Sequence, residues 1–200
     1  MEKNPDLNIL LLRGHSMSLV QSTTPLLMID LEESPNEPLV ALEQVLRHIA
    51  DLSTRTGFEF SSHTITLTLM ACAYIRSTHI FEAEGIGMIE CVVGNLWDKL
   101  HSRRSEHRFD LPISDKYFSA NFSGIFENCK LFVTQAGQLC LGPGGVKEGD
   151  KIVQLFGLDL PALLRPKQSW FTFTGVAYID VEFSNTQETS TLAPEIYEIR

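Results

Sequence analysis

The hydrophobic pattern changes period twice along this chain. Residues 7–12, LNILLL, form a short unbroken apolar run that ends at Arg13-Gly14-His15. In the following SMSLVQ, Met17 and Leu19 alternate with Ser16 and Ser18. Short runs bounded by a glycine predict two strands joined by a turn. Residues 30–38, DLEESPNEP, are acidic and hold two prolines, which suits a surface connection. From residue 38 the spacing becomes helical. Leu39, Leu42, Val45, Leu46, Ile49 and Leu52 recur at three- and four-residue steps, with Asn36 placed as N-cap and Pro38 in the first turn. Residues 60–76 carry both signals: Ile65, Leu67 and Leu69 alternate like a strand, whereas Leu69, Met70, Ala73 and Tyr74 continue helically. A helix is expected, because the run is long and free of Gly and Pro after Gly57. Met88, Ile89, Val92, Val93, Leu96, Trp97 and Leu100 share a face of a third helix over 88–101. A fourth is expected from Ser114 or Asp115 to Phe126.

Strand patterning returns at residue 128. Leu131–Val133, Leu139–Leu141 and Ile152–Phe156 are separated by Gly137, by Gly142-Pro143-Gly144-Gly145, by Gly149-Asp150 and by Gly157. Trp170, Phe171 and Phe173 are separated from Val176, Tyr178 and Val181 by Gly175. Two strands alone cannot bury a face, so strands at both ends of the chain imply one structure shared between them. The expected fold is α+β: a small antiparallel β-barrel from strands in 7–20 and 128–183, with a helical insertion over 36–127. Residues 1–183 then form a single domain, and the Ser/Thr-rich residues 184–200 a loose tail or edge segment.

Composition narrows the function classes. A chain of 200 residues with 44% hydrophobic and 20% charged residues is globular in character. A net charge of −9 opposes binding to a phosphate backbone. The basic cluster Lys99, Arg103, Arg104 and Arg108 reads as a solvated helix end and loop. The four cysteines, Cys72, Cys91, Cys129 and Cys140, show no paired short spacing, which argues against zinc and for reduced, buried side chains inside a cell. No run reaches the roughly 20 apolar residues of a membrane span.

The search for chemistry returns mostly structural readings. Gly144 to Gly149 is followed by Asp150-Lys151 rather than Lys-Ser/Thr, so it is no phosphate loop, and Lys147 occupies the third glycine of a dinucleotide fingerprint. No nucleophile elbow surrounds Ser16. A Cys–His pair assembled in space, such as Cys72 with His63, stays open as a hydrolase reading. Glu82, Glu84 and Glu90 suit a helix start. The glycines, with Pro143 and Pro161, read as turn-formers. Asp150 and Arg165 stand out at strand boundaries: Asp150 is expected to accept N–H groups of its own turn, and Arg165 to pair with a carboxylate or to contact a ligand or partner.

One stretch is distinctive in wording. Lys130-Leu131-Phe132-Val133-Thr134, Gly137, Leu141-Gly142-Pro143, Gly149-Asp150, Gly157, Pro161, Leu164-Arg165 and Gly175-Val176-Ala177-Tyr178 follow one another in a set order. This resembles the C-terminal region of fungal heterokaryon-incompatibility (HET-domain) proteins. More weakly, LNILLLRG and residues 38–81 resemble that family's strand–Gly segment and helical connector. The N-terminal Tyr-x-x-Leu-Ser-Tyr-x-Trp-Gly signature is missing, and Asp180-Val181-Glu182-Phe183 replaces the family's usual ending. The resemblance therefore implies a protein without its HET domain, or a gene model that starts late. The expectation is a non-enzymatic intracellular interaction module, with no cofactor, no metal, no nucleic acid and no membrane, and with a protein as partner. A small-molecule or nucleotide sensor and a cryptic hydrolase are the alternatives.

Overall fold

The computed structural model describes residues 9–27, 37–76, 83–101, 128–179 and 193–200. The acidic connection, apart from residues 37 and 38, and the helix expected at 114–126 lie outside the described residues, as does Asn36. The described elements are β1 (Leu10–Thr23), α1 (Glu37–Thr56), α2 (Ser62–Arg76), α3 (Ala83–His101), β2 (Cys129–Thr134), β3 (Leu139–Pro143), β4 (Lys151–Leu155), β5 (Ala162–Pro166), β6 (Phe171–Val176), β7 (Tyr178–Ile179) and β8 (Glu195–Ile199). The fold is mixed α+β.

Helix α1 buries the stripe its spacing demands: Leu42, Val45, Leu46, Ile49 and Leu52 are each at most 1% exposed. In α2 the alternating Ile65-Thr-Leu-Thr-Leu69 is helical after all. Thr66 and Thr68 donate their hydroxyls to the carbonyls of Ser62 and Thr64, four residues back, at 2.8 and 2.9 Å. With their polar atoms satisfied inside the helix, both threonines can be buried. Ser61 accepts the Thr64 N–H at 3.0 Å and caps the helix. Gly94 of α3 faces Ser62, so α2 and α3 approach closely.

The N-terminal segment corrects the expectation of two strands and a turn. It is one strand of 14 residues. Gly14 makes no turn; it pairs with Glu195 of β8 and with Leu155 of β4. A Cβ there would lie 2.6 Å from the Gln154 carbonyl oxygen and 3.0 Å from Leu155 Cα. The glycine is there for close approach of two backbones. A second correction concerns Gly142 and Pro143, read as turn residues but found as the last two positions of β3. At Gly142 a side chain would strike Phe132 and Leu163. The third concerns the tail: Glu195–Ile199 is a strand, paired antiparallel with Leu10–Gly14.

The strands form one eight-stranded sheet in the order β4-β5-β6-β8-β1-β2-β3-β7, with β4 also paired to β1. β1 pairs with β2, β2 with β3, and β3 with β7. β7 follows β6 after the single residue Ala177, and β6 pairs with β5, β5 with β4, and β4 with β1. The period of two along each strand then sorts side chains into three apolar groups. Val20, Phe132, Cys140, Val146, Ile152, Leu163, Ala177 and Ile179 pack together between the strands. Leu131, Val133, Leu139 and Leu141 point the other way, against all three helices. Val153, Leu155, Ala162 and Leu164 form the third group with Tyr197 and Ile199 of β8, Leu12 and Phe171.

Candidate functional site in the loop between β3 and β4

Residues 144–150 connect β3 to β4, and their chemistry centres on Asp150, which is 1% exposed. A carboxylate this deep needs its lone pairs filled. Arg165 Nε donates to Oδ1 and Nη2 to Oδ2, each at 2.9 Å, a bidentate pair; the Lys147 N–H adds a third bond to Oδ2 at 2.9 Å. Arg165 Nη2 also donates to the Gly145 carbonyl at 2.6 Å. Its hydrogen bond to Asp150 outweighs desolvation and raises the guanidinium pKa further. Strand β5 supplies Arg165 at the register of Thr172, one residue after the buried Leu164.

The backbone closes the same loop. Gly149 donates to the Val20 carbonyl and Val20 to that of Asp150, both at 2.9 Å, while the Asp150 N–H bonds to Lys147 O at 3.1 Å. Gly149 sits at φ +84°, a region that a β-branched residue resists. Outside this ring of bonds, Ser22 donates to Glu148 at 3.3 Å and accepts from Arg55 Nη1 at 2.7 Å. Arg55 also reaches the Thr23 carbonyl at 3.0 Å and Asp51 at 2.8 Å, which ties α1 to β1 and the loop. What this arrangement does chemically is hold a loop rigid: both carboxylate oxygens and the facing guanidinium edge are occupied by each other.

The structure therefore brings Asp150, Arg165 and Gly149 together and leaves the other singled-out residues elsewhere. Gly137 (φ +81°) lies in the β2–β3 turn and Gly157 (φ +89°) after β4. Gly175 (φ +138°) packs on the ring of Pro143, and the Pro161 carbonyl accepts the Ala177 N–H at 2.8 Å. His63 is hydrogen-bonded to Glu90 at 3.0 Å, and the side chain of Cys72 is outside the described residues. His15 stacks edge-on against Phe156 with centroids 5.2 Å apart.

A second polar cluster was not singled out from the sequence. Lys151 Nζ lies 2.8 Å from Glu195 Oε2, to which Tyr197 donates its hydroxyl at 3.0 Å, and the ammonium sits 5.0 Å from the Tyr197 ring centroid. Burial alone would lower the Lys151 pKa; the bond to Glu195 and the nearby Tyr197 and Glu195 outweigh it and raise it. Glu195 is lowered, first by Lys151 and then by Tyr197. Tyr197 is raised, chiefly by burial and then by its bond to Glu195. The signal was there: in Glu195-Ile-Tyr-Glu-Ile199, Glu195, Tyr197 and Ile199 alternate with period two, masked by the Ser/Thr-rich residues before it. Among the described residues, no group of three or more His, Cys, Asp and Glu side chains could hold a metal ion.

These elements define a class: an α+β module whose eight-stranded sheet is clamped at one loop and packed on two apolar faces. Residues 92–190 match the model of the Het-6 beta-barrel domain, a heterokaryon-incompatibility-related family. The resemblance to the C-terminal region of HET-type proteins thus holds. No curated protein and no solved structure matches the chain. Among the described residues, no helix is long and apolar enough to cross a membrane.

Proposed function

We propose that the chain is a non-enzymatic intracellular interaction module, built on a closed small barrel and acting by binding another protein. One observation carries the reading: the space inside the strand ring is filled. Val20, Phe132, Cys140, Val146, Ile152, Leu163, Ala177 and Ile179 meet there, each at most 6% exposed. A ligand-binding barrel needs an interior that stays open to its ligand. Burial pushes the Cys140 thiol well above its usual pKa, which makes it a packing residue rather than a nucleophile. The buried Asp150–Arg165 pair spends its hydrogen-bonding capacity on its own loop. An exposed free thiol at Cys91 suits a reducing compartment.

The test is turnover by the purified chain. No consumption of NAD, ATP or a nitrophenyl ester above a boiled control is expected. Turnover that Cys140→Ser or His63→Ala abolishes, in a variant that still melts cooperatively, would overturn the reading in favour of a hydrolase.

A further inference from the structure

The outer face of β4 and β5 is covered in an unusual way. Val153, Leu155, Ala162 and Leu164 are each at most 1% exposed, and β8 is the strand that shields them, with Leu12 and Phe171 alongside. Strand β8 lies outside residues 92–190, the stretch that matches the family. Its backbone pairs along one edge with Leu10–Gly14. Towards β6 it makes a single bridge, Phe171 with Ile199, extended by the Arg200 N–H to the Phe171 carbonyl at 3.0 Å.

Its side chains divide as those of a strand laid in a groove divide. Tyr197 is 1% exposed and meets Phe171 edge-on at 5.4 Å, and Ile199 is 8% exposed. Glu195 answers Lys151, whereas Ile196 faces solvent at 63%. Main-chain bonds to an open edge together with alternate side chains in fixed places are the working parts of strand addition, in which an extended peptide joins a sheet. A groove of this kind reads sequence through three positions: a carboxylate for Lys151, an aromatic ring for the Phe171 wall and an aliphatic group two residues further.

We propose that the groove between residues 10–14 and the outer face of β4–β6 is a strand-recognition site, which β8 fills in cis. The partner in trans is a protein segment with the pattern acid-x-aromatic-x-aliphatic, running antiparallel to Leu10–Gly14. The proposal deepens the binding-module reading and rests on it. A tethered strand competes at an effective concentration of order millimolar, so the intact chain holds its site closed until β8 is displaced.

The experiment uses the full chain with a protease site inserted within residues 184–190, cut after purification. The probe is a fluorescent peptide of residues 193–200, APEIYEIR, followed by anisotropy. The cut chain should take up the peptide, and the uncut chain should bind it at least about tenfold more weakly. Replacing the peptide's tyrosine by alanine should weaken uptake by about tenfold or more, as loss of a buried aromatic anchor does. Lys151→Glu in the chain should reject the wild-type peptide and accept one carrying Glu195→Lys. Uptake equal for a scrambled peptide, or none by a cut chain that still melts cooperatively, would overturn the proposal. So would aggregation of the cut chain, which would make β8 an inseparable part of the fold. Dimerisation of the uncut chain with the peptide excluded would assign the groove to a second copy and also overturn it. None of these outcomes bears on the turnover assay, which decides the broader reading by itself.

Discussion

Two apolar faces of the sheet are covered in opposite ways. On one, Leu131, Val133, Leu139 and Leu141 meet three helices, whose buried residues include Leu42, Leu46, Ile49, Leu52, Ile65, Leu69 and Trp97. On the other, Val153, Leu155, Ala162 and Leu164 meet one five-residue strand and its immediate neighbours. Both covers exclude water from their face, yet they differ in how much else must move to lift them. Displacing the helices would expose residues from three elements at once. Displacing β8 breaks one antiparallel pairing, one bridge with its Arg200–Phe171 bond and the Lys151–Glu195 ion pair, and it uncovers one apolar cluster. Equal burial therefore does not mean equal stability, because local opening follows the number of packed partners rather than the exposure of any one residue.

The largest effect is expected at the clamp that both faces share. Arg165→Met leaves the Asp150 carboxylate buried without its cation and should destabilise by about 3–5 kcal/mol in urea denaturation. Asp150→Ala instead frees an arginine whose side chain is 25% exposed and can reach water, so its cost should be smaller. Equal losses would mean that the pair is not what holds the loop. Gly14→Val comes next. Its side chain collides with the backbone of Gln154 and Leu155, at the point where β1 pairs with β4 and β8 together. Overpacking of this kind costs about 1–3 kcal/mol. The loss should fall on the β8 face, visible as faster proteolysis of the C-terminal strand than of β2–β3.

How much of this was legible in the sequence varies by element, for physical reasons. The α1 stripe was plain because its helical period has no competing pattern. The pairing of β1 with β2 and β4 was legible, since strands at both ends of a chain must share a core. Asp150 and Arg165 were visible as polar residues at strand boundaries. Gly14 was misread because a glycine between two apolar runs looks the same whether it turns the chain or admits a neighbouring backbone; only the approach of Gln154 distinguishes them. Strand β8 was missed because Glu195-Ile-Tyr-Glu-Ile199 is short, and its partner, Leu10–Gly14, is almost the whole chain away. The Lys151–Glu195–Tyr197 cluster was hidden for the same reason.

The smallest effect is expected at Lys151–Glu195. With side chains 22% and 52% exposed, the pair is worth at most about 1 kcal/mol by Lys151→Ala. Its pH dependence has a definite sign. Glu195 is lowered in the folded state, so its contribution is present above the ordinary value of 4.5 and is lost as pH falls through the lowered one. Lys151 and Tyr197 are raised, so theirs are present below 10.5 and 10.0 and are lost as pH rises through the raised values. The melting-temperature difference between wild type and Lys151→Ala should therefore be flat between those limits and shrink beyond both. A difference that grows above pH 10.5 would contradict the pairing.

The unequal covers are tested most directly by native-state hydrogen exchange in low urea. Amides of β8 should exchange through a local opening whose free energy lies well below that of β2 and β3, which should exchange only with global unfolding. Arg165→Met should lower the β2–β3 value while changing the gap between the two groups little. If β8 and β2–β3 amides merge into one exchange isotherm from the lowest urea concentration, the strand is an integral wall of the fold. The account of a separable cover is then contradicted.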